Sequence, residues 1–307
     1  MQQQPPSDCR SESSPTVLDI QSPTPTRLAV IADPHLATDA SGTWKCYHRT
    51  EAFLERAVDE VRSREPDGIV VAGDLTKDGE PHNFRRYDEL VDPLGSVVTI
   101  PGNHDVPKSY IDHEVPSIES FAARYTETGY PFHRRFGDVD LLCLNSATMP
   151  DGSLRDTWGG CLSESQLDWL ASTLPETTTP IVVLHHNLFA QPEHDDEFGE
   201  NFHLSNSEQL LDILSENAPV LVISGHHHIP SCHHERGVTE LIAPALCSYP
   251  SSFLEIEIGP NGTTVSRFPI ATPAEKTELY TLGTTGSQLG RKVVEVAAER
   301  LRVDPFQ

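Results

Sequence analysis

Lysine is scarce in this chain of 307 residues, which contains five lysines beside seventeen arginines. Aspartate and glutamate together number 46, so the formal net charge is −24. A chain without clustered cations lacks the charge pattern that binds duplex nucleic acid or an anionic membrane surface. The composition therefore argues against nucleic acid and against a membrane as partners.

Long apolar runs and paired cysteines are also missing. No stretch approaches the roughly 20 apolar residues that span a bilayer, and residues 1–26 lack the apolar segment of a secretory signal. The six cysteines are scattered without a Cys-x-x-Cys pair, which is typical of reduced thiols used in packing. We therefore expect a cytoplasmic protein. Low lysine with excess acid is typical of halophilic proteins, and an ordinary acidic cytoplasmic protein is the alternative.

The chain divides into three parts by its sequence pattern. Residues 1–26 are rich in Ser, Pro, Thr and Gln, which predicts a disordered leader. In residues 27–270, short β-branched runs alternate with amphipathic stretches, and a hairpin over 132–144 separates two β-rich halves. This pattern predicts an α/β domain, a four-layer αββα sandwich of two stacked mixed sheets. Residues 271–307 form an extension whose apolar spacing predicts one docking helix.

Metal-capable side chains follow five predicted strands at the point where each strand ends. In chain order the motifs are Asp33-Pro-His35, Gly73-Asp74, Gly102-Asn103-His104-Asp105, His185-His186 and Gly225-His226-His227-His228. Ligands of open α/β sheets collect beyond the carboxyl ends of the strands. Structural polar residues that merely cap strands would not follow five strands in succession, so we expect these side chains to meet.

The ligand types predict a pair of cations. Carboxylate, imidazole and amide without thiolate suit manganese, iron, cobalt, nickel or zinc. The two predicted ligand sets are Asp33, His35 and His228 for one cation, and Asn103, His185 and His226 for the other. Asp74 is the only carboxylate placed to bridge them. Two cations about 3.5–4 Å apart would polarise a phosphoryl group and generate a bridging hydroxide for in-line attack.

His104 follows a predicted ligand directly, although both ligand sets are filled without it. We predict that its imidazole stabilises the transferring phosphoryl group or protonates the leaving oxygen, with Asp105 orienting the ring. Asn103 and His104 are thus expected to contact substrate. The acidic loop at 191–200 could cover the substrate, with His203 as a further contact, and a solvated surface loop is the alternative.

The five motifs in this order resemble those of the calcineurin-like metallophosphoesterase superfamily. The resemblance extends over about residues 27–269 and implies the double-sheet αββα sandwich and the ligand roles given above. The branch of class III cyclic-nucleotide phosphodiesterases and glycerophosphodiesterases looks most similar. Its motifs here are Gly73-Asp-Leu-Thr-x-x-Gly79, Gly160-x-Leu-Ser-x-x-Gln166-x-x-Trp-Leu170 and Gly225-His-x-His-x-Pro230.

Two departures from the pattern stand out. Purple acid phosphatases of the superfamily carry Tyr three residues after the bridging Asp, where this chain has Lys77, so a tyrosinate–iron(III) centre is disfavoured. The branch often has His-His-Pro, where this chain has His185-His186-Asn187, so the resemblance does not determine the conformation of the loop that follows.

The sequence thus predicts a phosphodiesterase that uses two divalent or trivalent cations (manganese, iron or zinc) and attacks small phosphoesters with a metal-bridging hydroxide. A phosphomonoesterase, including a protein phosphatase, is the nearest alternative, and a nuclease is a second. A non-catalytic scaffold of the same fold is a different class, disfavoured by the complete ligand set. The sequence leaves the substrate, the metals and the oligomeric state open.

Overall fold

The computed structural model describes residues 16–149, 153, 159–190 and 203–303. The strands are β1 (Thr16–Leu18), β2 (Thr26–Ile31), β3 (Gly68–Val71), β4 (Val98–Thr99), β5 (Phe132–Phe136), β6 (Val139–Cys143), β7 (Thr179–Val183), β8 (Val220–Ser224), β9 (Ser231–Glu235), β10 (Val238–Ile242), β11 (Ser252–Gly259) and β12 (Gly262–Pro269). The helices are α1 (Thr50–Arg64), α2 (Pro81–Val91), α3 (Ile118–Tyr125), α4 (Glu164–Thr173), α5 (Ser207–Ser215), α6 (Pro273–Thr285) and α7 (Gln288–Val303). Among the described residues, none of these helices is long and apolar enough to cross a membrane.

The strands form two mixed sheets of six strands each. The first has the order β1-β12-β11-β2-β3-β4, in which β2, β3 and β4 run parallel. The second has the order β5-β6-β7-β8-β10-β9, in which β6, β7, β8 and β10 run parallel. The predicted hairpin is the antiparallel pair of β5 and β6 at one edge of the second sheet.

Successive residues of the central strands pack into different apolar layers. One layer lies between the two sheets, and one lies between each sheet and its helices. In β2, Leu28 and Val30 pack between the sheets, whereas Ile31 faces the helices α1, α2, α6 and α7. In β8, Ile223 packs between the sheets and Val222 faces α4 and α5. Since successive side chains of a strand point to opposite faces, each sheet is buried on both sides. The predicted four-layer αββα sandwich is confirmed.

Residues 16–26 do not belong to a disordered leader, contrary to the prediction from composition. Thr16–Leu18 form β1, which pairs antiparallel with β12, and Ile20 and Ser22 are buried. A strand of three residues holds too few apolar positions to stand out against the surrounding Ser, Thr and Pro. Residues 1–15 lie outside the described part of the chain.

The C-terminal extension contains two helices where the sequence predicts one. Helix α6 begins with a capping box in which Thr272 and Glu275 satisfy each other's backbone N–H groups. Its buried residues are Leu279, Tyr280 and Gly283, which span little more than one turn, so its sequence lacks the repeated helical periodicity that reveals α7. A Cβ on Gly283 would lie 2.3 Å from Cγ2 of Val294, so the absence of a side chain there lets α6 and α7 pack closely.

Candidate metal centre

The predicted ligand residues meet where the carboxyl ends of the central strands of both sheets come together. The loops after β2, β3 and β4 of the first sheet provide Asp33, His35, Asp74 and Asn103, and those after β7 and β8 of the second provide His185, His226 and His228. All seven residues are at most 7% exposed. The buried strands therefore deliver these polar side chains to one interior point, as their position in the sequence predicts.

The first predicted ligand set lies around a common point. His35 Nε2 is 3.3 Å from His228 Nε2 and 3.2 Å from Asp74 Oδ2. Asp33 Oδ1 is 3.4 Å from His228 Nε2 and 4.0 Å from His35 Nε2. Donor atoms about 2.0–2.2 Å from one cation stand about this far from one another, so the spacing fits an ion.

The second set has the same spacing and shares a carboxylate with the first. Asn103 Oδ1 lies 3.2 Å from His185 Nε2 and 3.0 Å from His226 Nδ1. Asp74 Oδ2, which is close to His35, is also 3.4 Å from His185 Nε2. The geometry of Asp74 thus fits a carboxylate shared by two cations, and groups that could hold a metal occur on both sides of it.

Most of the ligand residues have a strained backbone. Positive φ angles between 42° and 66° occur at Asp33, His35, Asp74, His226 and His228. This left-handed region is rarely adopted by residues other than glycine and costs on the order of 1–3 kcal/mol per residue. Glycine is required beside them, since a Cβ on Gly102 would lie 2.1 Å from Asp74 Oδ1. The fold maintains this unfavourable geometry at the point where the side chains converge.

The protonation states suit cation binding. Burial lowers the pKa of His35, His226 and His228 well below the usual range, which leaves neutral imidazoles able to act as ligands. Burial opposes the charge of His185, but the Asp74 carboxylate raises its pKa to about 9. A cation bound between these two groups would displace that proton. Nδ1–H of His185 donates to the Ala72 carbonyl at 2.8 Å, which leaves Nε2 for the ligand role.

His104 lies beside the cluster and is oriented by groups of the loop after β3. Its Nδ1–H donates to the Lys77 carbonyl at 2.7 Å and faces Asp78 Oδ1 at 3.0 Å. Its backbone N–H donates to Asp74 Oδ1 at 2.8 Å. On the other side of the ring, Lys45 Nζ donates to Nε2 of His104 at 3.1 Å and lies 3.1 Å from Nε2 of His35. The Nε2 atom of His104 therefore faces the same cavity as the ligands.

Asp105 does not orient His104, so that part of the prediction is wrong. Its two carboxylate oxygens accept backbone N–H groups of Leu75, Thr76 and Gly102 at 3.0–3.1 Å. Asp105 thus ties the loop after β3 to the loop after β4. The chain turns between His104 and Asp105, so adjacency in sequence does not bring the two side chains together.

Asp78, Lys45 and Trp44 are near the site but were missed by sequence reasoning. Asp78 comes four residues after Asp74 in the same loop, which is a local signal that could have drawn attention to it. Lys45 and Trp44 lie between β2 and α1 in a stretch without periodicity or motif. Only the three-dimensional structure brings that stretch to the metal cluster.

His203 lines a different cavity from the predicted ligands, and its contact with substrate stays a prediction. It forms an isolated parallel bridge with Asn187 and lines a second cavity with Phe189, His233 and His234. Among the described residues, the cavity beside the metal ligands is lined by other side chains. The acidic loop at 191–200, predicted to cover the substrate, lies outside the described residues.

A buried carboxylate holds together the loops that carry the second sheet's ligands. Glu240, in β10, accepts the backbone N–H groups of Leu188 and Phe189 at 2.7 and 3.0 Å and the Ser224 hydroxyl at 2.7 Å. Asn187 Nδ2 donates to Ser224 Oγ and to the Gly225 carbonyl, both at 2.9 Å. The asparagine found in place of proline thus provides a side-chain link between the loops after β7 and β8.

Glu240 is expected to make stability depend on pH. Burial raises its pKa to about 7 from 4.5, although hydrogen bonds from Phe189, Leu188 and Ser224 oppose the shift. The folded protein therefore keeps a proton that the unfolded chain loses above pH 4.5. The stability that Glu240 contributes is fully present below pH 4.5 and is lost as pH rises through about 7.

The shift corresponds to about 3 kcal/mol. We expect Glu240→Gln to be more destabilising at about pH 4.5 than at about pH 8 by this amount. The free energy of urea unfolding, measured for both proteins with chelator at the two pH values, checks this. A difference between the two proteins that is independent of pH would contradict the assignment.

A cavity of about 680 Å³ opens beside the ligands. Its inner side is formed by metal-centre residues, among them Asp74, Asn103, His104 and His228. Its outer side comes from Trp44 and Lys45 and from the helices α6 and α7. The volume is that of a small-molecule site, so a phosphoester with organic substituents can reach the cluster.

Comparison with known proteins agrees with this geometry. The sequence model of calcineurin-like phosphoesterases matches residues 26–230. A probable cyclic nucleotide phosphodiesterase of Synechococcus is 27% identical over 250 residues, which cover 77% of this chain and 89% of the relative. A metallophosphoesterase 1 homolog of Drosophila melanogaster is 26% identical over 290 residues, covering 79% of this chain and 75% of the relative.

Solved structures show the same fold. A dimetal phosphatase from Danio rerio has a TM-score of 0.59 at 16% identity, over 81% of this chain and all of the other. A purple acid phosphatase from yellow lupin has a TM-score of 0.56 at 11% identity, over 81% of this chain and 52% of the other. The family match covers most of the described strands and all seven predicted ligands. This chain belongs to the calcineurin-like phosphoesterase family.

Proposed function

We propose that this protein hydrolyses small phosphodiesters with two cations bound by the seven side chains of the metal centre. The observation that carries the proposal is the position of Asp74, whose Oδ2 lies 3.2 Å from His35 Nε2 and 3.4 Å from His185 Nε2. One carboxylate oxygen shared by two ligand sets suits two adjacent cations. Manganese, iron and zinc are the metals that this donor set favours.

The chemistry divides between the cations and the protein. When bound, the cations supply Lewis-acid stabilisation of the phosphoryl oxygens and activation of the attacking water. His104 presents Nε2 towards the cavity, with its Nδ1–H held by the Lys77 carbonyl and Asp78. In the imidazolium form, Nε2–H would stabilise the phosphoryl group or pass its proton to the leaving oxygen. Lys45 adds a positive charge on the same side, where a phosphate oxygen would lie.

The names of relatives favour a diester over a monoester, and the cavity has room for its organic substituents. The outer side of the cavity is largely apolar, with Trp44, Leu282, Leu289 and Val293 in its lining, and suits an organic substituent beside the phosphoryl group. Three relatives at 25–27% identity are named probable cyclic nucleotide phosphodiesterase, and a fourth, at 25%, is named cAMP/cGMP dual specificity phosphodiesterase. The cytoplasmic location and the salt-adapted surface stay predictions from composition.

The test compares two chromogenic substrates on protein loaded with manganese, iron or zinc. We expect a higher kcat/KM for bis(p-nitrophenyl) phosphate than for p-nitrophenyl phosphate, and loss of both activities with chelator. A clear preference for the monoester would favour the phosphomonoesterase. A protein that retains close to no metal after loading, measured by plasma emission spectrometry, would instead favour a non-catalytic scaffold.

A further inference from the structure

The outer side of the cavity is built in part by a segment beyond the family match. Helices α6 and α7 follow residue 230, where the match ends. The helices and the two residues between them contribute Leu282, Thr285, Gly286, Ser287, Leu289 and Val293 to the lining. The family region thus provides the ligands, whereas the C-terminal helix pair shapes the space that faces them.

Trp44 connects this helix pair to the metal centre. The centroid of its ring lies 5.1 Å from that of His228, a predicted ligand. On the opposite side, a Cβ on Gly290 of α7 would lie 2.6 Å from Trp44 Cγ, so the helix backbone is in close contact with the indole. Trp44 is half-buried and lines the cavity. The indole is thus held between the metal centre and α7 while part of it remains accessible.

The outer side of the cavity combines an apolar surface with one lysine side chain. Leu282, Leu289 and Val293 offer apolar contacts beside the indole, and Lys45 Nζ lies 5.7 Å from the centroid of the Trp44 ring. A phosphoryl group near Lys45 and the cations would therefore place its organic substituent along the indole and the leucines. An aromatic ring has the flat apolar face that such a surface binds best.

We propose that Trp44 and the α6–α7 helix pair form a specificity pocket for an aromatic or heteroaromatic substituent of the substrate. The pocket rests on the proposed phosphodiesterase function and names the class of ester that this function serves. A substituent with hydroxyl groups alone would leave the indole and the leucines without a complementary partner.

Binding of two phosphonates to the metal-loaded protein tests the pocket without turnover. Isothermal titration calorimetry with phenylphosphonate and methylphosphonate should give about tenfold tighter binding of the phenyl compound. Trp44→Ala should reduce this ratio to about one or two. Equal affinities of the two phosphonates for the unaltered protein would overturn the proposal.

A matched pair of leucine variants tests the pocket even if the Trp44→Ala variant does not fold. Leu289 and Leu301 are both half-buried on α7 and pack against the same apolar cluster, but only Leu289 lines the cavity. Leu289→Ala should reduce the phenyl-to-methyl ratio about threefold, and Leu301→Ala should leave it unchanged. Equal effects of the two variants would contradict the pocket.

Failure of the pocket is distinct from failure of the activity. Hydrolysis of bis(p-nitrophenyl) phosphate by a protein that binds both phosphonates equally would overturn the pocket alone. Selective phenylphosphonate binding by a loaded protein that hydrolyses no phosphodiester would support the pocket and overturn the proposed reaction.

Discussion

Replacing Asp74 by asparagine is expected to reduce turnover by about 10³-fold or more, equivalent to about 4 kcal/mol of transition-state stabilisation. The metal content should also fall from two ions per chain to one or fewer. The reason is that Asp74 Oδ2 lies within 3.4 Å of Nε2 of both His35 and His185. Asparagine keeps the size of the side chain but removes the negative charge that the two cations would share.

The measurement combines kcat with metal analysis of the same protein samples. His228→Ala should act in the same direction, because it removes a predicted ligand of the first set. Asp140→Asn is the matched control, since Asp140 is also buried and accepts a hydrogen bond from the Thr178 N–H at the far end of β6. The control should retain both ions. Full activity of the unaltered protein after metal depletion would refute a metal-dependent reaction.

Replacing His104 by alanine should lower kcat by about 10²–10⁴-fold while both ions stay bound. The two predicted ligand sets do not include His104, whose Nδ1–H is already engaged by the Lys77 carbonyl and Asp78. Its loss would remove the group that stabilises the phosphoryl oxygens or protonates the leaving oxygen. The expected result is a separation of turnover from metal content, in contrast to Asp74→Asn.

Asp78→Asn provides a graded comparison. Burial lowers the pKa of His104, and the hydrogen bond with Asp78 opposes that shift. Without the negative charge, the pKa of His104 should fall further, so the alkaline limb of the kcat–pH profile should move to lower pH.

Metal loss in the variant His104→Ala would show instead that His104 is a ligand, since it lies in a possible metal group with His35 and Asp74.

The position of the metal ligands could be predicted because regular strands determine it. Side chains directly after parallel strands meet at the same edge of a sheet, and five such motifs leave few alternatives. The layered fold followed from the same alternation of strands and helices. Both predictions depend on periodic patterns that many residues share, so an error at one residue does not change them.

The errors fall where no such pattern exists. Asp105 was assigned to His104 by adjacency, but the turn directs its carboxylate to backbone N–H groups of the loop after β3 and of its own loop after β4. Trp44 and Lys45 reach the site from an irregular stretch, and only tertiary packing determines where such a stretch lies. Helix α6 begins at a capping box and packs closely against α7, features that its apolar pattern does not reveal. These features arise from single contacts between distant parts of the chain.

Each predicted cation would be held by both sheets at once. The first ligand set combines Asp33 and His35 with His228, and the second combines Asn103 with His185 and His226, so the layers contribute to both. Neither sheet alone contains a complete site, and binding free energy is therefore gained only by the assembled sandwich. An ion at a hundred times its Kd adds about 2.7 kcal/mol to that state. Bound cations would thus couple the folding of the two sheets, which are otherwise joined by apolar packing.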